Sequence, residues 1–110
     1  MADQSTLKFG LTLDLIQKIN KVFDSNEKIE SVLIYGSRAK GNYREGSDID
    51  LTLKGPRLDH KDLSDTSRKI DKLNLPYLFD ISIYQKLDNP DLIDHIKRIG
   101  KVFYTQQTEK

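Results

Sequence analysis

The chain has 110 residues, of which 36% are hydrophobic and 32% are charged, and 18 basic against 17 acidic side chains give a formal net charge of +1. This length fits one small domain, and the near-neutral charge argues against a general polyanion-binding protein, which would need a basic excess. The lack of cysteine excludes disulfides and thiolate metal sites. Neither a long apolar span nor an apolar N-terminal signal core is present, so we expect a cytoplasmic protein.

The first half of the chain predicts one helix followed by two strands. Residues 1–9 are polar and predict a loose tail. Apolar residues then recur at helical spacing over residues 13–23, with Thr12 as a suitable N-cap. The short apolar run over residues 31–35 predicts a buried strand. After a turn and a loop, a second strand is predicted over residues 48–53.

The second half predicts two helices and one or two further strands. A charged segment with a thin apolar stripe predicts a helix over residues 61–73. Alternating polar and apolar residues then indicate a half-buried strand over residues 79–84. An Asn-Pro start and a terminal glycine bound a helix over residues 89–100. Residues 102–104 predict a short last strand, and residues 105–110 a polar tail.

This order of elements predicts a single α/β (α+β) domain over residues 1–110, in which helices cover a small sheet. The loop between the first two strands is too short for a crossover helix. We therefore expect a sheet that is partly antiparallel, and so mixed.

The chemically informative segment begins where the first strand ends. Gly36 permits a sharp turn and is followed by the hydroxyl of Ser37. Asp48 and Asp50 come next, and as alternate residues of a strand they would point to the same side. Two neighbouring carboxylates repel each other unless a cation lies between them, so this combination suggests metal-assisted chemistry on a phosphate.

These motifs carry a resemblance to a known family. They are the pair Gly36-Ser37, the pair Asp48 and Asp50, and a third acid, Asp80, on the strand that begins at Phe79. The pattern resembles the nucleotidyltransferase superfamily that includes DNA polymerase beta. More narrowly, it is similar to the minimal nucleotidyltransferases of bacteria and archaea, which are often paired with a HEPN-domain protein. The resemblance covers residues 11–104 and implies the nucleotidyltransferase fold.

The resemblance implies a Mg²⁺-dependent enzyme that moves a nucleoside monophosphate, AMP from ATP, onto an acceptor hydroxyl. Asp48, Asp50 and Asp80 would be the catalytic and metal-binding residues, two ions would be bound, and Asp80 would act as the base. The implied acceptor is a side chain of a partner protein, such as a tyrosine of a HEPN-domain toxin. The chain would then be the antitoxin of the pair.

The glycine turn would bind the triphosphate. The candidates for this role are Gly36, Ser37, Arg38, Lys40 and Arg44. Gly36 allows close approach of the backbone, the hydroxyl of Ser37 can donate to phosphate oxygens, and an arginine can hold phosphate in a bidentate fork. Arg38 ranks first because it adjoins Ser37. The segment is not a Walker A loop, since Asn42 follows Gly41, and this argues against kinase chemistry.

Two other functions fit the sequence. The chain could neutralise a partner by occlusion as a binding module without catalysis, or it could modify a small molecule in the manner of antibiotic nucleotidyltransferases. A nucleic acid substrate is not expected, because the chain lacks both the length and the basic excess for one. A chain this short also suggests help from a partner or a second copy. His60 and His95 are not expected to form a zinc site, and of the tyrosines only Tyr43 is a candidate for stacking on a base.

Overall fold

The structure is a computed structural model that describes residues 7–44 and 46–107. Its helices are α1 (Leu13–Asp24), α2 (Ser37–Lys40), α3 (His60–Asp71) and α4 (Pro90–Ile99). Its strands are β1 (Leu7–Lys8), β2 (Leu11–Thr12), β3 (Ser31–Tyr35), β4 (Ile49–Lys54), β5 (Phe79–Ile83) and β6 (Lys101–Thr105). One turn of 3-10 helix, Tyr84–Lys86, follows β5.

The main sheet has four strands in the order β5-β4-β3-β6. The pairs β3–β4 and β3–β6 are antiparallel, whereas β4 and β5 are parallel and are connected through α3. The sheet is therefore mixed, as the short loop between β3 and β4 predicted, and the predicted α/β fold class is confirmed. A separate two-stranded antiparallel ladder joins β1 to β2.

The two faces of the sheet differ in character. One face presents fully buried aliphatic residues of β3 and β4, and α1 and α3 contribute apolar residues to the same core. That core includes Ile19, Phe23, Val32, Ile34, Ile49, Leu51, Leu53 and Ile70. On the opposite face α4 packs against β3, and His95 contacts the ring of Tyr35. Because side chains alternate along a strand, this second face carries the polar residues of β4 and β5.

The helices α1, α3 and α4 begin at residues whose side chains accept from their first N–H groups, whereas α2 has no such cap. Thr12 Oγ1 accepts from the N–H of Leu15 at 3.2 Å, and Asn89 Oδ1 accepts from the second and third residues of α4. Asp59 and Asp62 form a reciprocal capping box at the start of α3. The predicted caps at Thr12 and Asn89 are thus present, and the chain direction is fixed at each helix entry.

Several predicted boundaries need correction. Residues 7 and 8, which fall within the tail predicted to be loose, form β1, and Thr105 belongs to β6; residues 1–6 and 108–110 lie outside the described residues. The strand predicted to start at Asp48 starts at Ile49 instead. Within residues 7–44 and 46–107, no helix is both long and apolar enough to span a membrane.

Candidate active site

Asp50 and Asp80 stand side by side on the polar face of the sheet. They are directly paired in the register of the parallel strands β4 and β5, so their side chains share a face. Tyr35 is the residue paired with Asp50 on the antiparallel side. Asp50 is partly buried and Asp80 is exposed. The topology therefore brings together two of the three carboxylates that the sequence singled out.

The electrostatics of Asp50 show that negative charge is concentrated here. Burial raises the pKa of Asp50, and the charges of Asp80 and Asp48 raise it further, while His95 acts in the opposite direction. Burial also raises the pKa of the Tyr35 hydroxyl, with Asp80 as the next cause. Like charges held close together favour either a proton or a cation between them.

Asp48 lies in the loop before β4 and not, as predicted, on the strand beside Asp50. It precedes β4 and is exposed, so alternation along a strand does not place it on the face of Asp50. The preceding residue, Ser47, is held in place, because its carbonyl oxygen accepts from both Nε and Nη2 of Arg38, at 3.1 Å and 2.9 Å. Asp48 is thus positioned by an anchored loop, near enough for its charge to act on Asp50.

Gly36 lies against the Asp50 carboxylate, with no space between them for a side chain. Its backbone has φ +76° and ψ −156°, a region that essentially only glycine adopts. A Cβ added at Gly36 would collide with Oδ2 of Asp50. The turn therefore requires glycine at position 36 for two reasons: the backbone conformation, and the space that the Asp50 carboxylate fills. Ser37 follows directly as the first residue of α2 and is half-buried.

Arg38 is the main departure from the predicted site. Only 3% of the residue is exposed, and its guanidinium donates to the carbonyl oxygens of Phe9 and Ser47. The guanidinium also lies over the rings of Tyr43 and Tyr77, at 5.2 Å and 5.1 Å from their centroids. Arg38 thus fastens the turn after β1 to the loop before β4. The sequence ranked it first among the phosphate ligands, but its contacts are those of a structural residue.

Lys40 and Arg44 have the exposure that a phosphate ligand requires. Both are exposed in the segment between β3 and β4, and the backbone N–H of Arg44 donates to Ser47 Oγ at 2.8 Å. Contact of either side chain with a nucleotide stays a prediction.

His95 belongs to the site, although the sequence argument gave it no role. Its Nε2 accepts a hydrogen bond from the backbone N–H of Gly36, at 3.2 Å. A signal was available in the sequence, because His95 lies three residues after Leu92 and four before Ile99, on the apolar stripe of α4. A histidine at such a position turns toward the sheet.

The donor set suits a hard divalent cation. Asp50 and Asp80 offer neighbouring carboxylate oxygens, the ligands that Mg²⁺ prefers. A cation would offset both the burial and the neighbouring charges that raise the pKa of Asp50. Among residues 7–44 and 46–107, no three acidic or histidine side chains are gathered closely enough to form a complete metal site. The residues therefore fit the cation by chemistry, and the number of ions stays a prediction.

The family profile described as Polymerase beta, Nucleotidyltransferase matches residues 17–109, which includes every predicted site residue. The chain belongs to this nucleotidyltransferase family. The predicted resemblance and the predicted enzyme class are thereby confirmed at the level of the family. A comparison with curated protein sequences finds no significant match.

Solved structures share the fold of this nucleotidyltransferase at low sequence identity. One is a chain of a toxin–antitoxin complex with AMP-PNP, with 21% identity and a TM-score of 0.66 over 84% of this chain and 74% of that one. Another comes from a complex of a tri-AMPylated Shewanella oneidensis HEPN toxin with an MNT antitoxin, with 18% identity and a TM-score of 0.58 over 83% of this chain and 70% of that one. A protein from Sulfolobus solfataricus described as a nucleotidyltransferase has 22% identity and a TM-score of 0.54 over 83% and 77%.

Proposed function

We propose that this nucleotidyltransferase moves AMP from ATP to a hydroxyl of a partner protein, and that it serves as the antitoxin of a HEPN-domain toxin. The observation that carries the proposal is the pairing of Asp50 with Asp80 beside the glycine turn at Gly36. The comparisons support the biological setting, because the similar structures include toxin–antitoxin complexes, one with a nucleotide analogue and one with an AMPylated HEPN toxin.

In the proposed reaction the acceptor oxygen forms a bond to the α-phosphorus of ATP. The bond from that phosphorus to the oxygen bridging to the β-phosphate breaks, and pyrophosphate leaves. Asp80 takes the proton of the acceptor hydroxyl, since it is the more exposed acid of the paired two and can meet an incoming group. Ser37 donates from its hydroxyl to the terminal phosphates, and Lys40 and Arg44 add positive charge from the exposed loop.

Asp50 and Asp80 would hold the divalent cation, and Asp48 would join them from the loop before β4 when the metal binds. Mg²⁺ is the proposed ion and two is the proposed number of ions. Bound there, the metal would supply charge neutralisation on the triphosphate and a lower pKa for the acceptor hydroxyl. The partial burial of Asp50 suits this role, because a carboxylate withdrawn from water contributes a stronger field.

Labelled ATP tests the proposal directly. The chain is incubated with Mg²⁺, a HEPN-domain protein encoded beside it, and ATP labelled at either the α- or the γ-phosphate. Label on the partner from the α-position alone is the expected result. Label from the γ-position would replace nucleotidyl transfer by kinase chemistry. A tight complex without label from either position would instead identify a module that neutralises its partner by occlusion.

Two controls complete this experiment. Asp50→Asn removes one predicted metal ligand and should abolish transfer. Asp88→Asn removes an exposed acid between β5 and α4, away in sequence from the carboxylate pair and the glycine turn, and it should leave transfer unchanged. Equal loss in both variants would show that the effect is general rather than local to the carboxylate pair.

A further inference from the structure

His95 connects α4 to the glycine turn through one hydrogen bond. Its Nε2 lies 3.2 Å from the backbone nitrogen of Gly36, which donates the proton. The imidazole also meets the ring of Tyr35 edge-on, with centroids 6.1 Å apart and an interplanar angle of 79°. His95 is half-buried and lies next to Ile96, the buried residue of α4. Two contacts from different directions therefore fix the ring.

The hydrogen bond from the Gly36 N–H identifies the tautomer of the His95 imidazole. A backbone N–H can only donate, so Nε2 of His95 must carry a lone pair, and in the neutral ring the proton then lies on Nδ1. This arrangement differs from that of a metal ligand or a general base waiting in the site. The lone pair of Nε2 is committed to Gly36.

Gly36 needs a restraint of this kind. Glycine has the widest choice of backbone conformations, and Gly36 adopts one that few residues visit. The carboxylate of Asp50 occupies the side-chain position of Gly36, but it does not fix the peptide group between Tyr35 and Gly36. The hydrogen bond from the Gly36 N–H to His95 holds that peptide group. Ser37 follows immediately, so its direction depends on this peptide.

From this geometry we infer that His95 is a positioning residue for the nucleotide-binding turn. Its Nε2 fixes the Gly36 peptide, and through it the hydroxyl and N–H of Ser37. The inference rests on the proposed function, in which this turn contacts the triphosphate. His95 itself contacts neither substrate nor metal in this scheme, so its loss should weaken nucleotide binding more than it slows the transfer step.

Two substitutions of matched size separate the hydrogen bond from packing. His95→Gln keeps an acceptor near the position of Nε2, whereas His95→Met has similar length but no comparable acceptor. We expect the KM for ATP to rise about three- to tenfold for His95→Met, as the loss of one hydrogen bond implies, and to stay within about twofold for His95→Gln. kcat should change less than KM. If His95→Met does not fold, His95→Asn replaces it, because its amide is too short to reach Gly36.

The amide resonance of Gly36 in ¹⁵N-labelled protein gives a readout independent of activity. It should shift in His95→Met and stay near the wild-type position in His95→Gln. His60→Gln alters an exposed histidine at the start of α3 and should change neither measurement. Equal KM values and equal Gly36 shifts in the two His95 variants would overturn the inference. A wild-type protein that transfers no nucleotide would instead defeat the proposed function, and the Gly36 shift would then decide the role of His95 by itself.

Discussion

Asp50 and Asp80 occupy directly paired positions on two parallel strands, although they are 30 positions apart in the sequence and α3 lies between them. Their carboxylates face the same side of the sheet, beside a glycine turn that has no room for a side chain. The charge of the two carboxylates, the space beside Gly36 and the backbone conformation of Gly36 therefore meet at one point, and separate substitutions can test each of them.

Asp50→Asn should reduce transfer at least about 100-fold, the scale expected when a catalytic acid–base or ligand group is lost. The variant should be as stable as the wild type at neutral pH or slightly more so. The raised pKa of Asp50 means that its ionised form is disfavoured in the folded protein, so removing the charge relieves the cost of burying it and then the repulsion from Asp80 and Asp48. Transfer rates measure the loss of activity, and thermal unfolding without metal measures the change in stability. A stable variant that keeps near-normal activity would rule Asp50 out as a ligand.

Gly36→Ala should both destabilise the protein and disable the site. The backbone conformation alone costs an alanine about 1–3 kcal/mol, and the new methyl group would displace the Asp50 carboxylate. Gly41→Ala is a suitable comparison, since Gly41 also has positive φ, at +90°, but a Cβ there meets nothing within 4 Å. Chemical denaturation and transfer assays should show lower stability in both variants and a large loss of activity only in Gly36→Ala. Matching activities would mean that the contact with Asp50 does not matter.

Arg38→Lys and Lys40→Ala should produce opposite patterns. A lysine cannot reproduce the fork of Arg38 to two backbone carbonyl groups or its stacking on Tyr43 and Tyr77, so we expect a loss of about 2–3 kcal/mol in the free energy of unfolding. Lys40 is exposed, and its removal should leave stability within about 0.5 kcal/mol while raising the KM for ATP. Urea denaturation combined with steady-state kinetics distinguishes the two. An Arg38→Lys variant of normal stability but poor nucleotide affinity would restore Arg38 as a phosphate ligand.

Asp62 should make the protein sensitive to acid. Lys28 Nζ lies 2.9 Å from its carboxylate, and Asn26 and the N–H of Asp59 also donate to it. These contacts, that of Lys28 foremost, hold the pKa of Asp62 well below its usual value. Because an unfolded aspartate has a pKa of about 3.9, the stabilisation is complete above roughly pH 5 and is lost as the pH falls through 4 and below.

Asp62→Asn should therefore be less stable than the wild type at neutral pH and lose less stability on acidification. Thermal unfolding between about pH 7 and pH 2 measures how the stability of the wild type and of Asp62→Asn changes with pH. Asp65→Asn provides the comparison, because Asp65 pairs with Lys61 on the surface of α3, where such pairs contribute about 0–1 kcal/mol. Parallel pH profiles for the wild type and Asp62→Asn would contradict the assignment.

The sequence was sufficient to predict most helices and strands, because these depend on local pattern, whereas the roles of the three carboxylates stay predictions. Asp80 alternates with Phe79 and Ile81, so its strand and its exposed side could be predicted from neighbours alone. Its pairing with Asp50 could not, since a parallel register is set by how the crossover through α3 packs on the sheet.

The structural role of Arg38 could not be predicted from the residues around it in the sequence. Its contacts come from Phe9, Ser47 and Tyr77, which are distant in sequence and meet only in the folded chain. Nothing in the residues around Ser37 distinguishes an arginine that grips phosphate from one that grips carbonyl groups. The short β1–β2 ladder was missed for a related reason, because two-residue strands leave no periodicity to detect.

β5, which carries Asp80, lies at an edge of the main sheet. Within the described part of the chain its only strand partner is β4, whereas β4 and β3 are bonded on both sides. Peripheral strands open by local unfolding at a lower free-energy cost than central ones. Opening of β5 would separate Asp80 from Asp50 without breaking the pairing of β3 with β4. Hydrogen exchange along β5 would then report how often Asp80 and Asp50 are held side by side.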